Sequence, residues 1–543
     1  MEHREICTIG DLLIRGARAH PERDLIVLPE ERQTYEGLLS GAIRFARSLL
    51  ALGVEKGDKV GLLMPNSLLY QEVWFGASLI GAVAVPINNR FRAVELGHII
   101  PDADIKVVMV ATSGTDLDYF DRLVRALGTL PATSGEPAAP LEIAAAPALD
   151  YLVDLDGDGP RDGFMGRGTL LELGRTVSPS EVEVAAQRVA LRDVAVIFYT
   201  SGTTALPKGC KLTHEAVSRQ GYETVERMAF RTGDVMFSPL PMFHTACTQA
   251  LYAMMWCFGT YCSMPVFDGS AGLRMIESEQ ATVMYTAFPP ITNGLVQHED
   301  FGPESFARVR SLFTTGTPEE LRELEALMGG TRVITGFGMT EFAGSIAISD
   351  PRDPLELRIA PGRVLPGAEV QIREIIGRQE LPAGEKGEIV ARGPTVFSGY
   401  HNNEQATRES IDEDGWYHTG DLGLIDAKGL LHFRGRLKDM LKVGGENVAS
   451  IEIEAYLQSH PGIRGAAVVG KPDAKYGEVP VAFVELLPGA SITEEEIIEY
   501  CRDQIASYKI PRHVRFVDEW PMSATKIRKG DLRERVLEEF PRS

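Results

Sequence analysis

Basic residues are scarce in this 543-residue sequence, in which 55 Lys and Arg stand against 76 Asp and Glu. The resulting net charge of −21 repels the phosphates of DNA and RNA, so a nucleic-acid partner is excluded. An anionic small molecule would need a locally basic pocket within this acidic body.

Cysteine is also scarce, with six residues and no C-x-x-C pair. This excludes a disulfide scaffold and predicts reduced thiols in a cytoplasmic protein. One uncharged run, residues 245–267, is about as long as a membrane span. Because Gln249, Gly259 and Pro265 interrupt it, we predict no span but a buried helix over residues 248–258, followed by a buried strand.

Helical and strand patterns alternate along most of the chain. Helices are expected over residues 8–19, 37–52 and 69–80, and apolar strands over residues 59–64, 83–87 and 105–110. This alternation predicts an α/β fold with parallel sheets covered by helices. Residues 129–165 are rich in Ala, Pro, Gly and Asp and are expected to form a surface insertion or long loop.

The second half of the chain indicates two further parts. A second alternating block covers residues 190–345, and dense Gly-Pro punctuation with short β patterns follows to about residue 435. We therefore predict a large N-terminal domain, residues 1–436, of α/β layers with parallel sheets plus a β-rich subdomain. A small α+β domain, residues 439–543, is expected to follow after a hinge.

The strongest local feature is a buried strand that runs into a loop of small hydroxyl residues, Gly and one Lys over residues 194–209. Backbone N–H groups and hydroxyls in such a loop can bind phosphate oxygens, and a lysine adds positive charge. The loop does not fit the Walker A pattern. The predicted phosphate-binding residues are Thr200, Ser201, Gly202, Thr203, Thr204 and Lys208.

Residues 199–209, Tyr-Thr-Ser-Gly-Thr-Thr-Ala-Leu-Pro-Lys-Gly, resemble the signature of the adenylate-forming superfamily. Further blocks recur in the same order over nearly the whole chain, and the nearest resemblance is to stand-alone acid–CoA ligases. The resemblance implies ATP, Mg²⁺ and coenzyme A as cofactors and co-substrates, and a small-molecule carboxylic acid as the substrate.

The same resemblance assigns nucleotide-binding roles. In residues 336–341, Gly-Phe-Gly-Met-Thr-Glu, it makes Glu341 the Mg²⁺ ligand and Thr340 a phosphate contact, with Phe337 and Gly338 beside adenine. A single Glu suits a hard cation that bridges ATP phosphates. The remaining implied contacts are Gly316, Thr317 and Pro318 on the adenine side, and Asp421 and Arg436 on the ribose.

Near the C-terminus the resemblance implies a domain that alternates between two arrangements. It places the hinge at Lys438, the lining of the pantetheine tunnel at Gly444 and Gly445, and the catalytic lysine at Lys526. The glycine usual before that lysine is missing, which leaves Lys529 as an alternative. Ala205 stands where the family usually has Gly.

His244 lies in the segment that the resemblance assigns to one wall of the acid pocket, where it is a candidate catalytic residue that orients the carboxylate or gates the tunnel; a satisfied structural histidine is the alternative. No acidic residue occurs between Asp234 and Asp268, so a substrate ammonium group would lack a counter-charge. An α-amino acid is therefore not expected. Small residues predict room for a bulky, mostly apolar acid, and the predicted lining is His244, Ala246, Cys247, Gly338, Ala343 and Gly344.

Three functions agree with these features. The first is formation of acyl-AMP followed by transfer to coenzyme A. The second transfers the acyl group to a separate acyl or peptidyl carrier protein, and the third is a catalytically idle nucleotide-binding homologue, for which Ala205 and the shortened lysine loop are the support. A monomer or homodimer is expected.

Overall fold

The structure is a computed structural model that describes residues 5–130, 140–157, 161–200, 207–443, 446–473, 475–502, 504–522 and 527–540. Several predicted site residues lie outside these ranges, namely Ser201, Gly202, Thr203, Thr204, Gly444, Gly445 and Lys526.

The helices of the described residues are mostly short, and four of them overlap the four predicted helices. They are α1 (Ile9–Ala19), α2 (Tyr35–Ala51), α3 (Leu68–Leu79), α4 (Ala93–Asp102), α5 (Tyr119–Leu127), α6 (Arg167–Gly174), α7 (Pro179–Ala186), α8 (His214–Met228), α9 (Thr245–Trp256), α10 (Gly269–Ser278), α11 (Pro289–Val296), α12 (Pro318–Leu327), α13 (Leu355–Arg358), α14 (Glu404–Ser410), α15 (Ser450–Gln458), α16 (Glu494–Cys501) and α17 (Lys529–Glu539). Short 3₁₀ turns cover Pro303–Phe306, Thr340–Phe342, Leu437–Asp439 and Ser507–Lys509.

The strands alternate with these helices up to about residue 340 and dominate after it. They are β1 (Asp24–Val27), β2 (Arg32–Thr34), β3 (Lys59–Leu63), β4 (Val83–Pro86), β5 (Ile105–Val110), β6 (Tyr151–Asp154), β7 (Phe164–Gly166), β8 (Val194–Thr200), β9 (Lys208–Thr213), β10 (Val235–Phe237), β11 (Thr260–Cys262), β12 (Val283–Ala287), β13 (Ser311–Thr314), β14 (Arg332–Ile334), β15 (Gly336–Met339), β16 (Gly344–Ile348), β17 (Arg363–Val364), β18 (Glu369–Arg373), β19 (Gly387–Arg392), β20 (Tyr417–Ile425), β21 (Leu431–Arg436), β22 (Met440–Val443), β23 (Glu446–Ala449), β24 (Ile463–Asp473), β25 (Gly477–Leu486) and β26 (His513–Phe516).

Two seven-stranded sheets form the larger part of the chain. Their strand orders are β7-β6-β5-β3-β4-β8-β9 and β14-β13-β12-β10-β11-β1-β2. Neighbouring strands are parallel except at one edge of each sheet, where β8 pairs with β9 and β1 with β2 in antiparallel fashion. The prediction of an α/β fold with parallel sheets is therefore confirmed.

Helices α1, α2, α3, α8 and α9 contact one another and join the two sheets, since α3 also contacts β3 and β4 while α9 contacts β11. Their facing surfaces are aromatic: the Phe75 and Tyr252 rings meet edge to face, with centroids 6.2 Å apart. The Trp74 and Trp256 side chains are almost fully buried there. Burial of such large rings is the main favourable contribution to this core.

Local sequence signals account for several element boundaries. Thr8 caps α1, because its side chain accepts from the Asp11 N–H group. The uncharged run forms α9 and then β11, as predicted, and no helix among the described residues is long and apolar enough to cross a membrane. The prediction of a surface insertion or long loop over residues 129–165 is wrong in part, because β6 and β7 form there and pair with the first sheet. Their short apolar runs are hidden by the surrounding Ala, Pro and Asp.

The chain divides into two units, Met1–Glu369 with Arg392–Tyr417, and Val370–Ala391 with His418–Ser543. The second unit contains the sheet β18-β19-β20-β21 and the sheet β23-β22-β25-β24, in which β26 also pairs with β25. Helices α15, α16 and α17 accompany the latter sheet, in agreement with the predicted α+β class. This division does not coincide with the predicted domain boundary at residues 436–439. That boundary remains a prediction of where the mobile C-terminal domain begins.

A buried histidine gives the first unit a pH-dependent stability. His214 is fully buried at the start of α8, and its Nδ1 accepts from the Ile9 N–H group at 3.3 Å. Burial lowers the pKa of His214 to about 4. The pKa of His214 is thus lower in the folded protein than in the unfolded chain. The stability that depends on a neutral His214 is therefore fully present above pH 6.5 and is lost as the pH falls toward 4.

We expect His214→Asn to be less stable than the wild type at pH 7, because the ring leaves a cavity. The gap in unfolding free energy should narrow by about 2 kcal/mol between pH 7 and pH 4.5, since only the wild type must keep a buried imidazole neutral. Urea unfolding of both proteins across this range measures the gap. A gap that stays constant with pH would contradict the assignment.

Candidate functional site

Three loops of the first unit leave the second sheet at the same edge. Strands β10, β12 and β13 are parallel, so their carboxyl ends lie side by side. In open α/β sheets ligands bind at this edge. The loop after β10 leads to His244, the residue after β12 is Phe288, and the loop after β13 contains Thr315 and Gly316.

These loops contact one another. The His244 and Phe288 rings meet edge to face, with centroids 5.4 Å apart. The Thr315 hydroxyl donates to the Ala287 carbonyl oxygen at 2.9 Å. His244 and Gly316, which the sequence predicts on the acid side and the adenine side, therefore lie on loops of one edge.

The loop predicted beside adenine also starts a helix. Thr317 caps α12, its hydroxyl accepts from the Glu320 N–H group, and the Glu320 carboxylate accepts from the Thr317 N–H group. Pro318 occupies the first turn, where its missing N–H group costs nothing. The Thr317 hydroxyl is thus engaged in the cap, while Gly316 is exposed and offers open backbone.

Glu341 lies in a tight turn between β15 and β16. A side chain at Gly338 would place its Cβ 2.1 Å from the Gly344 carbonyl oxygen, so only glycine fits there. Ala343 has φ +56°, a left-handed conformation that few non-glycine residues adopt. This strained turn holds Thr340 and Glu341 where β15 ends.

A tyrosine that sequence reasoning missed orients Glu341. The Tyr400 hydroxyl donates to Glu341 Oε1 at 2.9 Å, and the Phe397 N–H group donates to the Glu341 carbonyl oxygen at 2.8 Å. Burial, followed by the nearby Glu341 carboxylate, raises the pKa of Tyr400, so the phenol stays a donor. The only signal in the sequence is a Gly-Tyr pair 59 residues after Glu341.

Tyr400 also connects this turn to the predicted phosphate loop. It pairs with Cys210 of β9 in an isolated bridge, and Lys208 Nζ lies 5.3 Å from the centre of the Tyr400 ring. The structure thus brings together Lys208 and Glu341, two of the predicted residues, around one side chain.

The described ends of the phosphate loop are anchored to α4. Thr200 and Lys208 are partners in the β8–β9 register. The Tyr199 hydroxyl donates to Asp102 at 2.6 Å, and His98 Nε2 lies 3.0 Å from the Pro207 carbonyl oxygen. The four residues Ser201 to Thr204 lie outside the described residues.

The predicted pocket lining divides by exposure. His244 and Ala246 are partly exposed, and Gly338 is exposed. Cys247 and Ala343 are each 1% exposed, and Cys247 Sγ lies 3.2 Å from the Tyr261 hydroxyl oxygen. Phe337 is 8% exposed, with its ring centroid 6.4 Å from that of Phe342. The assignment of the buried residues Cys247, Ala343 and Gly344 to the pocket remains a prediction. The contact of Phe337 with adenine also remains a prediction.

The second unit brings together the predicted ribose residues. Asp421 of β20 and Arg436 of β21 are register partners, and Arg436 Nε lies 3.4 Å from Asp421 Oδ1. Asp421 is 4% exposed. Its N–H group donates to the Thr419 hydroxyl at 2.9 Å.

The predicted hinge and the C-terminal helix are joined within the second unit. Arg533 of α17 donates to the Lys438 carbonyl oxygen at 3.3 Å and to Asp439 Oδ1 at 2.5 Å. Burial, and then the neighbouring Arg436, lower the pKa of Lys438. Strands β22 and β23 are antiparallel partners, with Val443 opposite Glu446.

Comparisons with known proteins identify the family. The sequence model described as AMP-binding enzyme matches residues 13–401, and the model described as AMP-binding enzyme C-terminal domain matches residues 452–526. The chain therefore belongs to the AMP-binding enzyme family, the adenylate-forming superfamily. The predicted enzyme class, an AMP-forming acyl-CoA synthetase, is confirmed.

Individual relatives extend over the whole chain. The chain is 35% identical to the putative acyl-CoA synthetase YngI of Bacillus subtilis, covering 98% of each. It is 34% identical to the long-chain-fatty-acid–CoA ligase FadD13 of Mycobacterium tuberculosis, covering 98% of this chain and 99% of the relative. The crystal structure of ATP-bound MatB from Rhodopseudomonas palustris superposes with a TM-score of 0.83 at 28% identity, over 98% and 99% of the two chains.

We expect Tyr400→Phe to lower the free energy of unfolding by about 1–3 kcal/mol, because the buried Glu341 Oε1 atom loses the hydrogen bond that Tyr400 donates. Tyr508→Phe is a control, since Tyr508 is 36% exposed and its loss should cost little. Urea unfolding at pH 7 compares the two variants. Equal midpoints for both variants would contradict a role for the Tyr400 hydroxyl.

Proposed function

We propose that this enzyme uses ATP to activate a bulky, mostly apolar carboxylic acid and transfers the acyl group to coenzyme A. In the first step a carboxylate oxygen bonds to the α-phosphorus and pyrophosphate leaves, giving acyl-AMP. In the second step the thiol sulfur of coenzyme A bonds to the acyl carbon and AMP leaves. The observation that carries the proposal is the grouping of Lys208, Tyr400 and Glu341 in a member of this family.

The first unit supplies the phosphate and metal contacts in this proposal. Lys208 and the hydroxyl loop hold the ATP phosphates, and Thr340 contacts a phosphate oxygen. Glu341 fits a Mg²⁺ ligand, because it is a single buried carboxylate with one oxygen already oriented by Tyr400. Among the described residues no cluster of three or more metal-binding side chains occurs, which agrees with a cation held mainly by phosphates and water. When bound, Mg²⁺ would neutralise charge on the phosphates.

Nucleoside contacts are proposed for residues of each unit, taken separately. Gly316, Thr317, Pro318, Phe337 and Gly338 are proposed to border adenine. Asp421 accepts from the ribose hydroxyls, and Arg436 contacts the same sugar. The Asp421–Arg436 contact supports this assignment, because it places a buried carboxylate and a guanidinium side by side.

Lys526 is proposed as the catalytic lysine, which stabilises the charge that develops at the α-phosphate. The alternative, Lys529, is already engaged: its Nζ lies 2.6 Å from Glu454 Oε1 and donates to the Ser450 hydroxyl at 2.8 Å. Glu454 is 9% exposed, so removing Lys529 would leave a buried carboxylate without its partner. This ion pair favours Lys526.

An apolar acid is supported by the first unit. Residues 235–267 contain no acidic side chain that could pair with a substrate ammonium group, and His244 and Ala246 are partly exposed at the start of α9. FadD13, a relative of similar length, is named for long-chain fatty acids. We propose that His244 contacts the carboxylate side of the acid, with the other small residues of the predicted lining around its apolar part.

The second step is proposed to follow a rearrangement about Lys438, with Gly444 and Gly445 beside the pantetheine arm. Coenzyme A is the favoured acceptor because the relatives are named as acyl-CoA synthetases. A separate acyl or peptidyl carrier protein is the alternative acceptor. We also propose a cytoplasmic location, since all six cysteines are free thiols and five of them are buried. The proposed oligomeric state is a monomer or homodimer.

The direct test is to incubate the protein with ATP, Mg²⁺, coenzyme A and a panel of short, long, aryl and polycyclic acids, and to measure AMP and thioesters by mass spectrometry. AMP together with one matching acyl-CoA is expected. Acyl-AMP without thioester would favour a carrier-protein acceptor. ATP binding without either product would favour the idle homologue and contradict the proposal.

Two lysine variants separate the catalytic assignments. Lys526→Ala should slow pyrophosphate exchange about 100- to 1,000-fold while sparing thioester formation from supplied acyl-AMP. Lys529→Met should instead lower the free energy of unfolding by about 3 kcal/mol, because Glu454 loses its partner. The double variant Glu454→Gln/Lys529→Met should recover part of the stability, because a neutral amide oxygen can still accept from the Val468 N–H group, and it should retain exchange. Loss of exchange in the double variant, with Lys526→Ala fully active, would reverse the assignment.

A further inference from the structure

Two buried glutamines hold the peptide groups of one residue in the Glu341 hairpin. Gln249 of α9 accepts through Oε1 from the Ser345 N–H group at 3.1 Å and from the Ser345 hydroxyl at 3.2 Å. Gln220 of α8 donates through Nε2 to the Ser345 carbonyl oxygen at 2.6 Å. We call Gln220, Gln249 and Ser345 the glutamine clamp.

The two glutamines are also connected to each other. Gln249 Nε2 donates to the Thr224 hydroxyl at 2.9 Å, and that hydroxyl donates to the Gln220 carbonyl oxygen at 2.7 Å. Gln220, Thr224 and Gln249 are each at most 1% exposed. These buried hydrogen bonds favour one arrangement of the side chains that make them, because a shift would leave further polar groups unpaired; Gln220 Oε1 already has no partner among the described residues.

The backbone of the hairpin is built to receive the clamp. The β15–β16 register shifts between Phe337 and Gly338, where Gly338 faces Ser345. At such an irregularity the ladder loses hydrogen bonds, and side chains can satisfy the peptide groups instead. A Cβ on Gly344 would lie 2.3 Å from Gln249 Oε1, so Gln249 reaches Ser345 only because residue 344 is glycine.

Ser345 is four residues after Glu341, and the intervening residues form the strained turn. The turn therefore has two fixed points, the Tyr400 hydrogen bond at Glu341 and the clamp at Ser345. Helix α9, which supplies Gln249, also begins at the partly exposed pocket residues His244 and Ala246. The clamp thus ties the carboxylate turn to the helix of the acid pocket.

We propose that Gln249 is a positioning residue that sets the place of the Glu341 carboxylate through Ser345, so that its loss weakens Mg²⁺-dependent ATP binding. This inference rests on the proposed role of Glu341. Residues that position a metal ligand typically change metal affinity 10- to 100-fold, and an indirect contact belongs at the low end of this range.

The test compares Gln249→Leu with Tyr35→Phe. Tyr35 is fully buried, and its hydroxyl donates to the Gly259 carbonyl oxygen at 2.9 Å, just beyond the other end of α9. Each variant removes buried hydrogen bonding next to the same helix, but only Gln249→Leu touches the hairpin. Thr224→Val, of nearly the same shape as the original residue, loosens Gln249 without removing it and serves as a milder variant.

Two quantities are measured for each protein: the Mg²⁺ concentration that gives half-maximal pyrophosphate exchange, and the calorimetric affinity for ATP at fixed Mg²⁺ without any acid. We expect Gln249→Leu to raise the half-maximal Mg²⁺ concentration about tenfold and to weaken the affinity for ATP about tenfold. Thr224→Val should change the half-maximal Mg²⁺ concentration and the ATP affinity in the same directions but by less. Tyr35→Phe should lower Tm and leave both quantities unchanged.

Two results would overturn the inference. Equal shifts in Gln249→Leu and Tyr35→Phe, or a lower Tm without any change in Mg²⁺ dependence, would show that the clamp is only structural. Glu341→Gln distinguishes this failure from failure of the proposed function. If Glu341→Gln also leaves the Mg²⁺ dependence unchanged, the role of Glu341 itself is wrong, and the inference fails with it.

Discussion

The hydrogen bond from Tyr400 to Glu341 is the contact around which the first unit's site is arranged. It holds a buried carboxylate in a strained turn, and the same tyrosine pairs with β9 and lies beside Lys208. Residues from three distant parts of the sequence therefore meet at one phenol. Without that donor the carboxylate would be buried with one oxygen unsatisfied, which is costly, so the arrangement is strongly preferred.

The site uses backbone geometry as much as side chains. Gly338 and Gly344 permit contacts that any Cβ would block, and Ala343 accepts a left-handed conformation to complete the turn. Loops from three parallel strands then place His244, Phe288 and Gly316 along one edge. In the second unit, Asp421 and Arg436 are register partners. Each unit thus carries some of the residues to which contacts are proposed.

Much of the fold could be predicted from the sequence, because apolar strands and capped helices leave local signals, as at β3, β5 and α1. The signature motif led to the family for the same reason. Strands β6 and β7 were missed, since runs of four and three residues are too short to stand out from an Ala- and Pro-rich stretch. Tyr400 and Gln249 were missed because their roles depend on partners 59 and 96 residues away, which only tertiary packing reveals.

The most direct test of the central claim follows an oxygen atom. An acid labelled with ¹⁸O in its carboxylate is converted in the presence of ATP, Mg²⁺ and coenzyme A, and the AMP and pyrophosphate are weighed by mass spectrometry. Attack of the carboxylate on the α-phosphorus predicts one ¹⁸O in AMP and none in pyrophosphate. Unlabelled AMP, or ADP in its place, would contradict an acyl-adenylate pathway.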